Sequence, residues 1–157
     1  MGMDEHRLSD ILLASQIKAT DIYETPPQII WIDNSTIATL GNFSASTGKA
    51  KSKKTFNVSA LVAASLAGKQ VLNYRAHLPE GKQRILYVDT EQSRFHCRSV
   101  LERILRLAGL PTTTDPENLD FFCLREYSPS VRVEVIDYAL RQNKGYGLVI
   151  IGGIRGL

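Results

Sequence analysis

The sequence is poor in cysteine, in long apolar runs and in net charge of either sign. Its two cysteines, Cys97 and Cys123, have a spacing that indicates neither a disulfide framework nor a zinc site, so we interpret them as buried thiols. The longest apolar runs, such as 148–151, are far too short to cross a bilayer, and the N-terminus has no apolar signal core. These absences argue against a secreted or membrane-spanning protein and predict a cytoplasmic one.

The composition is that of an ordinary globular protein. Hydrophobic residues make up 43% and charged residues 22% of the 157 positions, which favours one domain with an apolar core. The formal net charge of +3 does not by itself require a nucleic-acid partner. Local clusters of charge are therefore more informative than the total.

The turn signals divide the chain into pieces that alternate between strand and helix. Apolar spacing predicts helices over 8–22, 56–66, 93–108 and 129–142, and strands over 28–32, 36–46, 84–90, 119–124 and 147–151. Gly68 and Gly109 are expected to end two of the helices, and the continuously apolar last strand is expected to be buried on both faces. The alternation predicts a parallel sheet covered by helices. We divide the chain into an N-terminal helix and short strand, 1–35, and a core, 36–157.

The stretch 48–55 reads GKAKSKKT and lies between a predicted strand and a predicted helix. A phosphate-binding loop consists of a glycine, four residues and Gly-Lys-Ser/Thr at a helix N-terminus. Lys53 stands where the second glycine is usual. The residues predicted to bind nucleotide are Gly48, Lys49, Ala50, Lys51, Ser52, Lys53, Lys54 and Thr55. The alternative is a solvated lysine-rich loop that contacts phosphates loosely or binds nothing specific.

Acidic residues end the predicted strand 84–90, one βα unit after the loop. Because ligands in open α/β sheets bind at the carboxyl ends of strands, Glu91 is a candidate general base. The alternative for Glu91 is a cap of the following helix. Asp89 is assigned a supporting role, and it points to the same side as Glu91 if extended geometry persists that far.

The segments GKAKSKKT, ILYVDTEQ and GLVIIGGIRGL, with their intervening helices, together resemble the RecA-like family of P-loop ATPases. The resemblance is greatest to the ATPases of bacterial mobile and mobilisable elements, and it covers most of the chain from residue 36 onward. It implies an α/β fold in which a three-layer parallel sheet has helices on both faces. It also implies ATP and Mg²⁺ as cofactors, Lys54 as the phosphate-binding lysine, Thr55 as a magnesium ligand and Glu91 as the residue that activates water.

The same resemblance implies partners. Relatives of this kind act on DNA in replication, mobilisation or recombination, usually as rings or filaments. The resemblance therefore implies DNA as a partner and a homo-oligomer in the full-length form.

The sequence departs from the family pattern in two places. Where the family has an aspartate after the last apolar strand, this chain has Gly152. The loss of such a metal-orienting carboxylate typically costs about ten- to a hundredfold in affinity or activity, so we expect nucleotide binding without efficient hydrolysis. The chain also stops at Leu157, before the strands that complete a RecA-like sheet, which predicts a truncated core with an exposed sheet edge.

A second functional hypothesis is a non-catalytic DNA-binding or assembly module. It assigns phosphate contacts to the loop lysines and to the arginines of the helix 93–108, namely Arg94, Arg98, Arg103 and Arg106. The simpler interpretation of these arginines is the solvated side of a packed helix. Arg125 and Arg155 follow predicted strands and either contact phosphates or are charges at the rim.

Overall fold

The structure is a computed structural model that describes residues 2–41 and 53–153. Its helices are α1 (Glu5–Ser15), α2 (Lys54–Ala67), α3 (Arg94–Ala108) and α4 (Pro129–Gln142). Its strands are β1 (Gln28–Ile32), β2 (Ser35–Thr39), β3 (Tyr74–Ala76), β4 (Arg84–Asp89), β5 (Leu119–Cys123) and β6 (Tyr146–Gly152). The predicted mixed α/β class is confirmed.

The last three strands form a parallel sheet with the order β5-β4-β6. Its central strand, β4, is hydrogen-bonded in parallel to a neighbour on each side. Every residue of β4 after Arg84 is buried. This agrees with the apolar run in the sequence, because parallel strands covered on both faces have few polar residues.

Alternate side chains of β4 belong to two different apolar clusters. Ile85 and Tyr87 lie in the larger cluster, to which α2 and α3 contribute buried side chains. Leu86 and Val88 lie in a second cluster, against which the α4 residues Ile136, Ala139 and Leu140 pack. Successive side chains of a strand point to opposite faces of the sheet, so the two clusters lie on opposite sides of β4.

The first strands form a separate antiparallel sheet with the order β2-β1-β3. The prediction that 36–46 is a strand of the parallel sheet is wrong for its described part, since β2 ends at Thr39 and pairs with β1. The reason is the two-residue turn at Asp33 and Asn34, where Asp33 has a φ of 51°. Asp and Asn tolerate this left-handed conformation, which folds the two strands back as a hairpin.

Strand β3 was not predicted from the sequence. It has only three residues, too few for the alternation of apolar and polar residues to indicate a strand. Strand β1 lies before the proposed domain boundary at 35/36, and it is hydrogen-bonded to β2 and to β3. These hydrogen bonds cross the boundary. The division itself stays a prediction.

Helix α1 is shorter than the predicted helix 8–22 and buries none of its residues. Asp4 caps its N-terminus by accepting from the backbone N of His6 at 3.4 Å. Near its end, the hydroxyl of Ser15 donates to the carbonyl oxygen of Ile11 at 2.6 Å. Such local side-chain bonds compete with continued helix, so the apolar spacing overestimated its length.

The ends of the later helices agree with their sequence signals. Gly68 and Gly109 end α2 and α3 in the left-handed conformation, with φ of 63° and 74°. Ser93 and Ser128 cap the N-termini of α3 and α4. Among the described residues, no helix has the length and apolar character needed to cross a bilayer.

The last strand differs from its prediction. β6 lies at an edge of the parallel sheet, and none of its residues is buried; Val149 is 37% exposed. The expectation of burial on both faces is wrong, because a continuous apolar run shows that a strand is hydrophobic but not how many neighbours it has.

Replacement of isoleucine by alanine should destabilise the fold by different amounts at a buried and at an exposed position. Ile104 is 0% exposed in the larger cluster and Ile22 is 96% exposed. We expect Ile104→Ala to lower the free energy of unfolding by about 2–5 kcal/mol, through lost transfer energy and a residual cavity. Ile22→Ala should change it by less than about 0.5 kcal/mol. Urea denaturation followed by circular dichroism measures both values, and equal effects would contradict this assignment of the core.

Candidate functional site

The N-terminus of α2 begins with residues predicted to bind phosphate. Lys54 and Thr55 are its first two residues, and Lys53 occupies the N-cap position. The side chain of Lys53 makes no capping hydrogen bond, and the first turn has no acidic residue. The first backbone N–H groups of a helix have no partner within the helix and carry a positive partial charge. This helix end is therefore suited to an anion.

The earlier part of the predicted loop is not covered by the structure. Gly48, Lys49, Ala50, Lys51 and Ser52 lie outside the described residues. The nucleotide-binding prediction can be placed only for Lys53, Lys54 and Thr55.

A buried carboxylate holds the turn that follows β4. Asp89 is 3% exposed, and its Oδ1 accepts from the backbone N of Glu91 at 2.9 Å and of Gln92 at 2.8 Å. Its Oδ2 accepts from Nε2 of Gln92 at 2.9 Å. An aspartate that accepts from amides two and three residues ahead stabilises a tight turn. Asp89 thus positions the turn through structural hydrogen bonds, and its supporting role in catalysis stays a prediction.

Glu91 lies in this turn, after the end of β4, and is exposed. The alternative that Glu91 caps the next helix is wrong, because Ser93 is the N-cap and accepts from the backbone N of His96 at 3.4 Å. The strand ends at Asp89, so the extended geometry required to place Asp89 and Glu91 on one side does not persist. One carboxylate is buried and structural, and the other faces solvent.

The carboxyl ends of β4 and β6 are joined through Thr90. Its backbone N donates to the carbonyl oxygen of Gly152 at 3.1 Å. Its hydroxyl lies 3.0 Å from the carbonyl oxygen of Gly152 and 2.8 Å from that of Gly153. These bonds place the end of β6 beside the turn that carries Glu91.

Gly153 provides the surface against which Glu91 lies. Its φ is 80°, and a Cβ added there would lie 2.7 Å from both Cδ of Glu91 and Oγ1 of Thr90. Only glycine suits this backbone conformation and this close approach. The sequence analysis missed this role, although the glycine doublet directly after an apolar strand was the available signal.

Gly152 lies where the family pattern places an aspartate, and Asp89 is its neighbour. A Cβ added at Gly152 would lie 3.5 Å from Oδ2 of Asp89. The Asp89 oxygens already accept the three hydrogen bonds described above. Among the described residues, no group of three or more His, Cys, Asp or Glu side chains could hold a metal ion. At the start of α2 the described residues fit an anion.

A cleft of about 400 Å³ lies between the start of α2 and the face of α3. Its lining residues are Lys53, Thr55, Phe56, Gln92, His96, Ser99, Val100 and Arg103. None of these is acidic, and the guanidinium of Arg103 lies 5.9 Å from the ring centroid of Phe56. Residues at the start of α2 and Gln92 line the same cleft. Gln92 directly follows Glu91 in the sequence. The sequence analysis did not assign Phe56, His96 or Ser99 to a site, because no local pattern pairs α2 with α3.

The arginines of α3 differ in their surroundings, and Arg94 is exposed at the first position of the helix. Arg98 and Arg106 pair with Glu102 at 3.7 Å and 2.5 Å, and Arg98 also donates to the carbonyl oxygen of Thr112. These two therefore match the solvated helix face, where ion pairs contribute little to stability. Arg103 instead borders the cleft. Contact of α3 with DNA stays a prediction.

The structure describes one of the other two arginines that the sequence singled out. Arg125 is exposed after β5, and its carbonyl oxygen accepts from the guanidinium of Arg132 at 2.7 Å. Arg155 lies outside the described residues.

Comparison with known proteins identifies one family. A family profile described as an AAA domain matches residues 8–156, which is nearly the whole chain. No curated protein and no solved structure matches the chain.

The contact between Gly153 and Glu91 predicts a difference between two glycine substitutions. Gly68 and Gly153 both have positive φ, but a Cβ at Gly68 would meet no atom within 4 Å. Gly68→Ala should therefore cost only the backbone strain of about 1–2 kcal/mol. Gly153→Ala should cost more, because it also displaces Glu91 and Thr90. Chemical denaturation measures both free energies of unfolding, and equal costs would show that Glu91 does not pack against Gly153.

Proposed function

Because the chain belongs to the AAA domain family, an ATPase-type family, we propose that it binds ATP together with Mg²⁺ through residues 48–55 and the N-terminus of α2. In this proposal Lys54 contacts the outer phosphates and Thr55 contributes a hydroxyl oxygen to the metal. The other loop residues, Gly48 to Lys53, surround the phosphates with backbone N–H groups and lysine side chains.

One observation carries the proposal: the start of α2 and the turn after β4 border the same cleft. Lys53 and Thr55 line it from one side and Gln92 from the other. The N-terminus of α2 carries a positive partial charge that attracts a phosphate group, and the turn after β4 would supply the Glu91 carboxylate. Phosphoryl transfer depends mainly on positioning and on charge stabilisation, and these two elements provide both.

Glu91 is the proposed general base. It is exposed at the carboxyl end of β4 and lies against Gly153, while Asp89 and Thr90 hold the turn on which it stands. An exposed carboxylate next to a bound phosphate can accept a proton from an attacking water. The hydrogen bond from the backbone N of Glu91 to Oδ1 of Asp89 would hold Glu91 in this position.

Hydrolysis is proposed to be inefficient. Bound magnesium supplies positive charge that neutralises the phosphate oxygens. With Gly152 in place of an aspartate, the described protein groups give that ion little support beyond Thr55. Nucleotide binding through Lys54 and the helix N-terminus does not need the missing carboxylate, so we propose a domain that binds ATP more effectively than it hydrolyses it.

The finer assignments belong to the same proposal. They are a RecA-like core with helices on both faces of a parallel sheet, and a role on DNA in replication, mobilisation or recombination as a homo-oligomer. Their support is the resemblance of 36–157 to ATPases of mobile elements. The alternative of a DNA-binding or assembly module has less support, because Glu102 pairs two of its four helix arginines.

Replacement of Lys54 tests nucleotide binding directly. We expect Lys54→Ala to weaken ATP binding by roughly ten- to a hundredfold, because a charged hydrogen bond to phosphate is lost. Lys69→Ala is the matched control, since Lys69 is exposed just beyond the opposite end of α2. Isothermal titration calorimetry with and without Mg²⁺ measures the affinities. No binding to the folded natural chain, or equal loss in both variants, would overturn the proposal.

Restoration of the missing carboxylate tests the metal assignment. We expect Gly152→Asp to increase the effect of Mg²⁺ on ATP affinity by about ten- to a hundredfold. Asn143→Asp is the control, because it adds the same charge before the opposite end of β6. An equal magnesium effect in both variants would show that position 152 does not support the metal.

A further inference from the structure

Two thiols that are distant in sequence meet beneath the turn after β4. Cys97 lies in the first turn of α3, and Cys123 is the last residue of β5, in register with Asp89. Both sulfurs lie beside the carbonyl oxygen of Gln92, Cys97 Sγ at 3.8 Å and Cys123 Sγ at 3.3 Å. Both cysteines are free thiols in this structure.

The two thiols differ in their surroundings. Cys97 is 4% exposed, whereas Cys123 is only partly buried on an edge strand of the parallel sheet. Burial, the Asp89 carboxylate and a hydrogen bond with Cys123 raise the pKa of Cys97 to about 12, while Arg94 acts in the opposite direction. Since the thiolate is the reactive form, Cys123 is the group that reacts first with a reagent from solution.

We propose that Cys97 and Cys123 form a redox modification site that closes to an internal disulfide in exchange with a small-molecule disulfide. The Cys123 thiolate attacks one sulfur of the reagent, forms a mixed disulfide and releases one small thiolate. Cys97 then loses its proton and attacks the Cys123 sulfur, which releases the second small thiolate. Two protein thiols are oxidised and one small disulfide is reduced to two thiols.

The internal disulfide would join α3 to β5 directly below the turn that carries Glu91. The shared acceptor, the Gln92 carbonyl, belongs to this turn, and the Gln92 backbone N donates to Asp89. A covalent bond between the two sulfurs therefore restrains the same backbone that Asp89 holds. This site does not depend on nucleotide binding.

Equilibration in glutathione buffers tests the proposal. The ratio of internal disulfide to dithiol, measured by alkylation and intact mass, gives the effective concentration of one thiol at the other. We expect this value to be higher by roughly tenfold or more in the native chain than in the chain unfolded in urea, because the fold holds the sulfurs together. Peptide mapping should identify the bond between Cys97 and Cys123.

Two further measurements complete the test. Cys97→Ser should form only a mixed disulfide with glutathione, and Cys123→Ser, which keeps only the buried Cys97, should form little of it. Neither variant should form an internal bond. Amide hydrogen exchange of Glu91 and Gln92 should slow in the oxidised native chain. The proposal would be overturned if the effective concentration were no higher in the native chain than in the unfolded chain. This comparison needs no variant. Unchanged exchange at both amides would overturn the link to the turn.

Discussion

Parallel pairing of β4 with β5 on one side and β6 on the other is the interaction on which the candidate site depends. It brings the carboxyl ends of all three strands to one edge, although 62 residues separate Thr90 from its hydrogen-bond partner Gly152. The two apolar clusters bury both faces of β4 and hold it in the centre. Hydrophobic burial is the main favourable term in folding, so the buried strand β4 gives the site a stable support.

Two carboxylates near the end of β4 have different surroundings. Asp89 has its oxygens engaged by the backbone of Glu91 and Gln92 and by the Gln92 side chain. Glu91 lies two residues further on, outside the strand, and is exposed next to Gly153. A buried carboxylate that lacked such partners would carry a large desolvation cost. The hydrogen bonds of Asp89 therefore stabilise the turn and leave Glu91 as the carboxylate that faces solvent.

Charge at the site is arranged around the start of α2. Lys53 and the N-terminus of α2 make one side of the cleft positive, and Arg103 adds positive charge from α3 on the other side. Glu91 directly precedes Gln92, which also lines the cleft. This distribution suits a phosphate group near an acid. Gly152, which neighbours Asp89 at the carboxyl end of β6, adds no further carboxylate there.

The sequence by itself determined the features that depend on neighbouring residues. The C-terminal ends of α2 and α3 followed from Gly68 and Gly109, because a left-handed C-cap needs glycine. The N-caps Ser93 and Ser128 are equally local, since each bonds to backbone only a few residues away. The apolar run of β4 and the match of Lys54 and Thr55 to a phosphate-binding loop are equally local. The family assignment depends on such segments in order.

Only the tertiary structure decided which segments become neighbours. The antiparallel sheet of β1, β2 and β3, the edge position of β6, the contact of Glu91 with Gly153 and the meeting of Cys97 with Cys123 depend on contacts between residues far apart in the chain. An apolar pattern shows that a strand needs partners, but strand pairing is selected by the packing of the whole chain. The same physical reason explains why the motif GKAKSKKT was visible in the sequence and the cleft at the start of α2 was not.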